Sequence, residues 1–195
     1  SDALNFISSC RLELDQTGEL SEASFYASHE GLHLGYEEAL TRGNEEEGYY
    51  CCSGHMLWIG NRTRNLEEAH VEFMRGIQNP IGMKVSQEID LDELIKLIDA
   101  INPENEHGKM VLISRMGADK VAEGLPPLLK RINDEGRNVV WSCDPMHGNT
   151  EKAPNGYKTR KFNNILAEVK QFFEVCQAEN AVAGGVHFEM TGQDV

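Results

Sequence analysis

Short apolar runs alternate along this chain with longer segments whose apolar residues recur at helical spacing. MLWIG, IGMKV, MVLIS, VVWSCDPM and GGVHFEM are the strand-like runs. Between them NLEEAHVEFMRGIQ, LDELIKLIDAIN, ADKVAEGLPPLLKRINDEG and a stretch from about Phe162 to Glu179 read as amphipathic helices. Asn79-Pro80 and Asn102-Pro103 close the first two, because proline has no amide hydrogen with which to continue the ladder. Pro126-Pro127 predicts a break or a fresh start inside the third, and Gly136 caps its end. Gly184 and Gly185 are expected to introduce the last strand, VHFEM. Upstream, SHEGLHLGYEEALTR carries Leu32, Tyr36 and Leu40 at helical spacing and is followed by a solvated acidic turn, Glu45 to Glu47. SDALNFISSC reads as a further helix with Ala3, Leu4 and Ile7 on one face.

Strands alternating with helices predict a parallel α/β sheet. Neither GxGxxG nor GxxxxGK occurs, which argues against an open nucleotide-binding sheet. The expected fold is therefore a (β/α)8 TIM barrel. The chain forms one domain over residues 1–195, with 1–50 as a helical lead-in and 51–195 supplying about five βα units. A complete barrel takes about 250 residues, so the chain is expected to be a partial barrel with exposed sheet edges.

Each strand-like run ends in a residue able to hold a phosphate, a carboxylate or a metal. Arg62 follows MLWIG, Lys84 lies in IGMKV, Arg115 follows MVLIS, His147 follows VVWSCDPM, and Glu189 lies in GGVHFEM. The carboxyl ends of parallel barrel strands converge on one mouth, so these side chains are expected to build one cationic pocket.

Charge narrows what that pocket could take. With 32 acidic against 18 basic residues the formal net charge is −14, which disfavours nucleic acid and anionic membrane surfaces as partners. A few focused Arg and Lys side chains still hold a small anion, because close geometry outweighs a screened distant field. No apolar run approaches the roughly 18 residues of a membrane span. Five cysteines, at 10, 51, 52, 143 and 176, show no CxxC spacing and suit a reducing compartment. Cys51 and Cys52 are adjacent, and neighbours on an extended segment point apart. The expected location is cytoplasmic, or plastid in a plant.

The stretches WIGNRTRNLEEAHVEFMRGIQNPIGMKVS, SRMGADKV, CDPMHGNT with GYKTRKF, ILAEVKQFFEV and GGVHFEMTGQDV run in this order from about Ser28 to Val195. They resemble the class II 3-deoxy-D-arabino-heptulosonate 7-phosphate synthases. The resemblance implies a metal-dependent (β/α)8 barrel that condenses phosphoenolpyruvate with erythrose 4-phosphate, releases phosphate, and opens the shikimate pathway. Arg62, Lys84 and Arg115 fall on the family's phosphoenolpyruvate-binding positions and are the expected catalytic set. Their role is mainly positional and electrostatic, with Lys84 also expected to move a proton if neighbouring cations crowd it. Asn61 stands where the family carries an acid, so it is expected to contact substrate without acid or base chemistry. Trp58 is expected beside the site.

His147 and Glu189 match metal-ligand motifs, and the implied cofactor is a divalent metal, Mn2+ first, with Co2+, Fe2+ or Zn2+ as alternatives. His29, His33, His55, His70 and His107 carry no such context. His187, two residues from Glu189, is expected to face away. The family's cysteine and aspartate ligands have no counterpart among the five cysteines or at Asp194. On this reading the chain supplies strands three to seven, most of the phosphoenolpyruvate site and half of the metal shell. It is expected to be inactive alone and a homo-oligomer when complete. A noncatalytic barrel piece that needs a partner segment, or a different metal-dependent barrel aldolase, remains as an alternative.

Overall fold

The computed structural model describes residues 26–189; the helix expected at Ser1 to Cys10 lies outside them. Six parallel strands form one sheet in the spatial order β1 (Ser28–Glu30), β4 (Met56–Ile59), β5 (Ile81–Val85), β6 (Met110–Ser114), β7 (Val140–Cys143) and β10 (Ala183–Val186). Spatial order follows chain order. Leu57 pairs with Ile81, Met83 with Leu112, and Ile113 with Ser142. All five residues of β5 are buried, as expected of a central parallel strand covered on both faces.

Helices α2 (Ala69–Arg75), α3 (Leu91–Ile101), α4 (Val121–Asp134) and α5 (Phe162–Ala178) fill the connections between successive sheet strands, and each packs against the next. Asp90 caps α3 by accepting a hydrogen bond from the Glu93 amide at 2.9 Å. Leu94, Leu97, Ile98 and Ile101 of α3 join Leu125, Leu129 and Ile132 of α4 and Phe172 of α5 in one core with Leu57, Met83 and Leu112 of the sheet. Gly136, at φ +64°, ends α4: its N–H donates to the Asn133 carbonyl and that of Arg137 to Ile132. No helix among the described residues is long and apolar enough to cross a membrane.

Four expectations about local structure change. The segment from Ser28 is a strand followed by one short helix, α1 (Leu34–Ala39), because Ser28 to Glu30 gain ladder partners in Met56 to Trp58. Leu32 and Tyr36 are exposed. Pro126 and Pro127 lie inside a continuous α4: the carbonyls they leave without amide partners belong to the exposed residues Ala122 and Glu123. The polar loop after β7 carries a hairpin, β8 (Thr150–Lys152) with β9 (Lys158–Arg160). The last strand is Ala183–Val186, so Gly184 and Gly185 lie within it and His187 to Glu189 lie past its end.

Glu45 to Glu47 form the turn of a second hairpin, β2 (Thr41–Asn44) with β3 (Gly48–Cys51), and Cys51 is buried while Cys52 is exposed. This hairpin is tied to β1 through Glu37 of α1. The buried Glu37 carboxylate accepts hydrogen bonds from His29 at 2.8 Å, Ser53 at 2.5 Å and the Cys51 thiol at 3.3 Å. Burial pushes its pKa up, but the Ser53, His29 and Cys51 bonds outweigh burial and hold it below the ordinary glutamate value. A depressed carboxylate pKa adds stability above the unfolded pKa and loses it as pH falls through the folded one. The stability gap between wild type and Glu37→Gln should therefore narrow as pH drops from about 6 to about 3, measured by urea unfolding. A gap constant across that range would remove Glu37 from the account.

Candidate active site at the carboxyl ends of the strands

Each parallel strand hands its first loop residue to the same end of the sheet. Ladder hydrogen bonds continue one residue beyond three strands: Arg115 N–H donates to Val85 at 2.9 Å, Asp144 N–H to Ser114 at 2.7 Å, and His187 N–H to Cys143 at 2.6 Å. Side chains at this end are thereby fixed by the register of the sheet rather than by loop conformation alone.

A cavity of about 360 Å3 opens there, and it brings together all six residues singled out from the sequence: Asn61, Arg62, Lys84, Arg115, His147 and Glu189. Trp58 also lines it, with its ring edge-to-face to His187 at a centroid separation of 4.6 Å and 5.8 Å from Lys84 Nζ. His187 is part of the wall, contrary to expectation: positions two apart on an extended segment share a face, so it lies on the same side as Glu189. Burial, then the nearby Lys84 charge, lowers the His187 pKa and favours the neutral ring.

The cations differ in how far they are committed. Lys84 is buried and paired with the fully buried Asp144 carboxylate, so it is not simply crowded by other cations. Elsewhere the helices pair their basic residues with acidic neighbours, as in Arg131 with Asp92 and Arg137 with Asp99. Among the described residues Arg62, Arg115 and Lys158 form no salt bridge, and the buried Arg115 Nε–H has no hydrogen-bond partner. Uncommitted guanidinium and ammonium groups facing one cavity are chemically suited to a small multiply charged anion.

Asp144 organises the opposite wall. Its Oδ2 accepts from Lys84 and meets His147 Nδ1 at 2.7 Å, while Oδ1 accepts the N–H groups of Met146 at 2.9 Å and His147 at 3.3 Å. Burial pushes the Asp144 carboxyl up, but the Lys84 charge and hydrogen bond, with His147 and the Met146 amide, outweigh it and keep Asp144 ionised. With His147 Nδ1 engaged, Nε2 faces Glu189 Oε1 at 3.2 Å. One imidazole nitrogen and one carboxylate thus converge as a pair of donors suited to a divalent metal. No cluster of three or more such side chains is arranged for a metal among the described residues.

Two further wall residues, Glu30 and Lys158, escaped the sequence reading. Glu30 ends β1 and places Oε1 where a Cβ on Gly60 would fall, 2.1 Å away, so the bare backbone of Gly60 makes room for that carboxylate. Lys158 comes from the unexpected hairpin, whose Arg160 donates to the Met146 carbonyl at 2.8 Å. Asn61 accepts a hydrogen bond from Arg64 at 3.4 Å, and Arg64 turns outward toward Glu93.

Residues 1–195, the whole chain, match the class-II DAHP synthetase family. This chain belongs to that family. It is 49% identical over 184 residues to the probable phospho-2-dehydro-3-deoxyheptonate aldolase, chloroplastic, of Catharanthus roseus, a match covering 94% of this chain and 37% of that protein. The phospho-2-dehydro-3-deoxyheptonate aldolases of Streptomyces coelicolor and Neurospora crassa are 46% and 43% identical, over 100% and 93% of this chain and 43% and 41% of theirs. The chain spans about two fifths of the length of these curated relatives.

Family membership leaves the pairing of Lys84 with Asp144 to be tested on its own. Removing one partner of a buried pair costs about 3–5 kcal/mol, because the other charge is stranded. Asp144→Ala and Lys84→Met should each destabilise by about that amount, and the double variant by about 0.5–3 kcal/mol less than their sum. Urea unfolding of the four proteins measures this; strict additivity would show that the pair is not coupled.

Proposed function

We propose that the full-length protein of which these residues are part condenses phosphoenolpyruvate with erythrose 4-phosphate. The products are 3-deoxy-D-arabino-heptulosonate 7-phosphate and inorganic phosphate, the entry to the shikimate pathway. The observation that carries this reading is the convergence of Arg62, Lys84, Arg115 and Lys158 with the His147–Glu189 donor pair on one cavity in a member of this family. The six parallel strands are read as part of a (β/α)8 barrel, with the cavity at its mouth.

Phosphoenolpyruvate presents a phosphate and a carboxylate on three carbons, and the cationic wall matches that pattern. Arg115, with its unpartnered Nε–H, and Arg62 grip these anionic ends by charge-assisted hydrogen bonds. Lys84, held by Asp144, presents its remaining N–H donors beside the face of Trp58. Held this way, the third carbon of the enol attacks the aldehyde carbon of the tetrose phosphate, forming the new C–C bond while the aldehyde oxygen gains a proton. Water adds to the second carbon, which becomes electron-poor, and the phosphate leaves with its bridging oxygen to give the ketone. The contribution of the side chains is position and charge complementarity.

His147 through Nε2 and Glu189 through its carboxylate would hold a divalent metal, proposed to be manganese. When bound, it supplies Lewis-acid polarisation of the aldehyde oxygen. Asp144 fixes the His147 ring so that the correct nitrogen faces that position. The buried thiols of Cys51, Cys143 and Cys176 suit a reducing location, cytoplasmic or plastid, and a homo-oligomer is proposed for the complete protein.

In the full-length protein Arg115→Ala should weaken phosphoenolpyruvate binding by about 1.5–3 kcal/mol with an unchanged circular dichroism spectrum. A KM for phosphoenolpyruvate near the wild-type value would take Arg115 out of the site. His147→Ala and Glu189→Ala should each lose bound manganese and phosphate release together. Full metal stoichiometry in both variants, by elemental analysis, would sink the ligand assignment.

A further inference from the structure

The loops that follow β6 and β7 carry Arg115 and His147, and both close on one side chain from the middle of α5. Glu168 is fully buried. Its Oε1 accepts the N–H groups of Met116 at 3.1 Å and Gly117 at 2.9 Å, and its Oε2 accepts Asn149 Nδ2 at 2.6 Å. Asn149 completes the link: the same nitrogen donates to the Pro145 carbonyl at 2.8 Å, and Oδ1 accepts the Ala118 N–H at 3.1 Å. Three backbone positions of one loop, Met116, Gly117 and Ala118, and one of the other, Pro145, are therefore held by a single carboxylate–amide pair.

The loops are also pressed against each other where this pair sits. A Cβ on Gly148 would lie 2.3 Å from the Gly117 nitrogen, and Gly117 itself has φ +100°, so neither position accepts a side chain without displacing the other loop. Burying a carboxylate among apolar neighbours such as Phe172 is costly unless its lone pairs are satisfied. Packing alone would favour an uncharged residue at this place. Burial pushes the Glu168 carboxyl above its usual range, and the Gly117, Met116 and Asn149 donors oppose that shift. The feature the carboxylate adds is a pair of acceptor oxygens that take three hydrogen bonds from two loops.

We propose that Glu168 is a positioning residue that clamps the Arg115 loop to the His147 loop and so sets the separation between the anion-binding wall and the metal-facing wall. The proposal rests on the reading of the cavity given above. Glu168 touches no substrate; it acts through Met116, Gly117 and Asn149.

Two substitutions divide the clamp. Glu168→Gln keeps a carbonyl oxygen for the Met116 and Gly117 amides but sets its NH2 group against that of Asn149, so only the link to the His147 loop is lost. Glu168→Ala removes both. In the full-length protein the Gln variant should bind manganese about tenfold more weakly, while phosphoenolpyruvate affinity stays within about twofold of wild type. Glu168→Ala should weaken both. Hydrogen exchange reads the clamp without ligand: in the Gln variant the amides of Met146, His147 and Asn149 should exchange about tenfold faster, with Met116 and Gly117 unchanged. A thermal midpoint close to wild type for the Gln variant separates this from general destabilisation. Equal weakening of both ligands in that variant, or wild-type exchange in both loops, overturns the proposal. Wild-type protein that takes up neither probe overturns the reading of the cavity, and the exchange data then still decide whether the clamp exists.

Discussion

The buried Asp144 carboxylate is the interaction on which the cavity depends. Removing a carboxylate from water costs several kcal/mol even after relaxation, and here it is offset by the Lys84 ammonium, the His147 ring and two backbone N–H groups. Each partner is constrained in return. Lys84 reaches from β5 past β6 to the loop after β7, and His147 is held with Nδ1 toward Asp144 and Nε2 toward Glu189. Leaving out any one partner strands the others in a site of low dielectric, where unpaired polar groups are expensive. The Lys84 and His147 sides of the cavity are thus parts of one hydrogen-bonded unit.

That unit explains how a chain of net charge −14 presents a cationic cavity. On the helices, acidic and basic residues neutralise one another at the surface, where an ion pair contributes at most about 1 kcal/mol and is screened by salt. At the strand ends, Asp144 neutralises Lys84, while Arg62, Arg115 and Lys158 form no salt bridge among the described residues. The distant field of the acidic surface is screened within about 10 Å, so a few uncommitted donors at contact distance decide what the cavity binds.

The parallel strands and the six cavity residues were legible because both follow short-range rules. Apolar runs of four or five residues marked β4 to β7, and the first polar residue after each marked the cavity end of the sheet. Applied to Asp144 as to Arg115, the same rule would have found it, since it follows Cys143 directly. Glu30 was hidden because β1 is only three residues long and gains its extended form from pairing with β4, which a helical period in the neighbouring residues concealed. Lys158 was hidden by a hairpin whose partners are joined through a Gly, Asn and Pro turn without alternating apolar positions. Glu168 looked like an ordinary polar position of an amphipathic helix. Its burial arises from the two loops folding over it, and no spacing rule along α5 reports that.

Parallel register and buried loops together limit how this site could vary. The ladder bonds from Arg115, Asp144 and His187 fix where each loop leaves the sheet, and a one-residue slip would send every one of these side chains to the other face. Beyond those first residues the loops are also joined to one another: Glu168 and Asn149 join the Arg115 loop to the His147 loop, and Arg160 ties the hairpin to Met146 at 2.8 Å and reaches Glu189 at 3.9 Å. A change in either of the two clamped loops therefore bears on the positions of both Arg115 and His147. Freedom remains where a wall residue forms no salt bridge among the described residues, at Arg62 and Lys158.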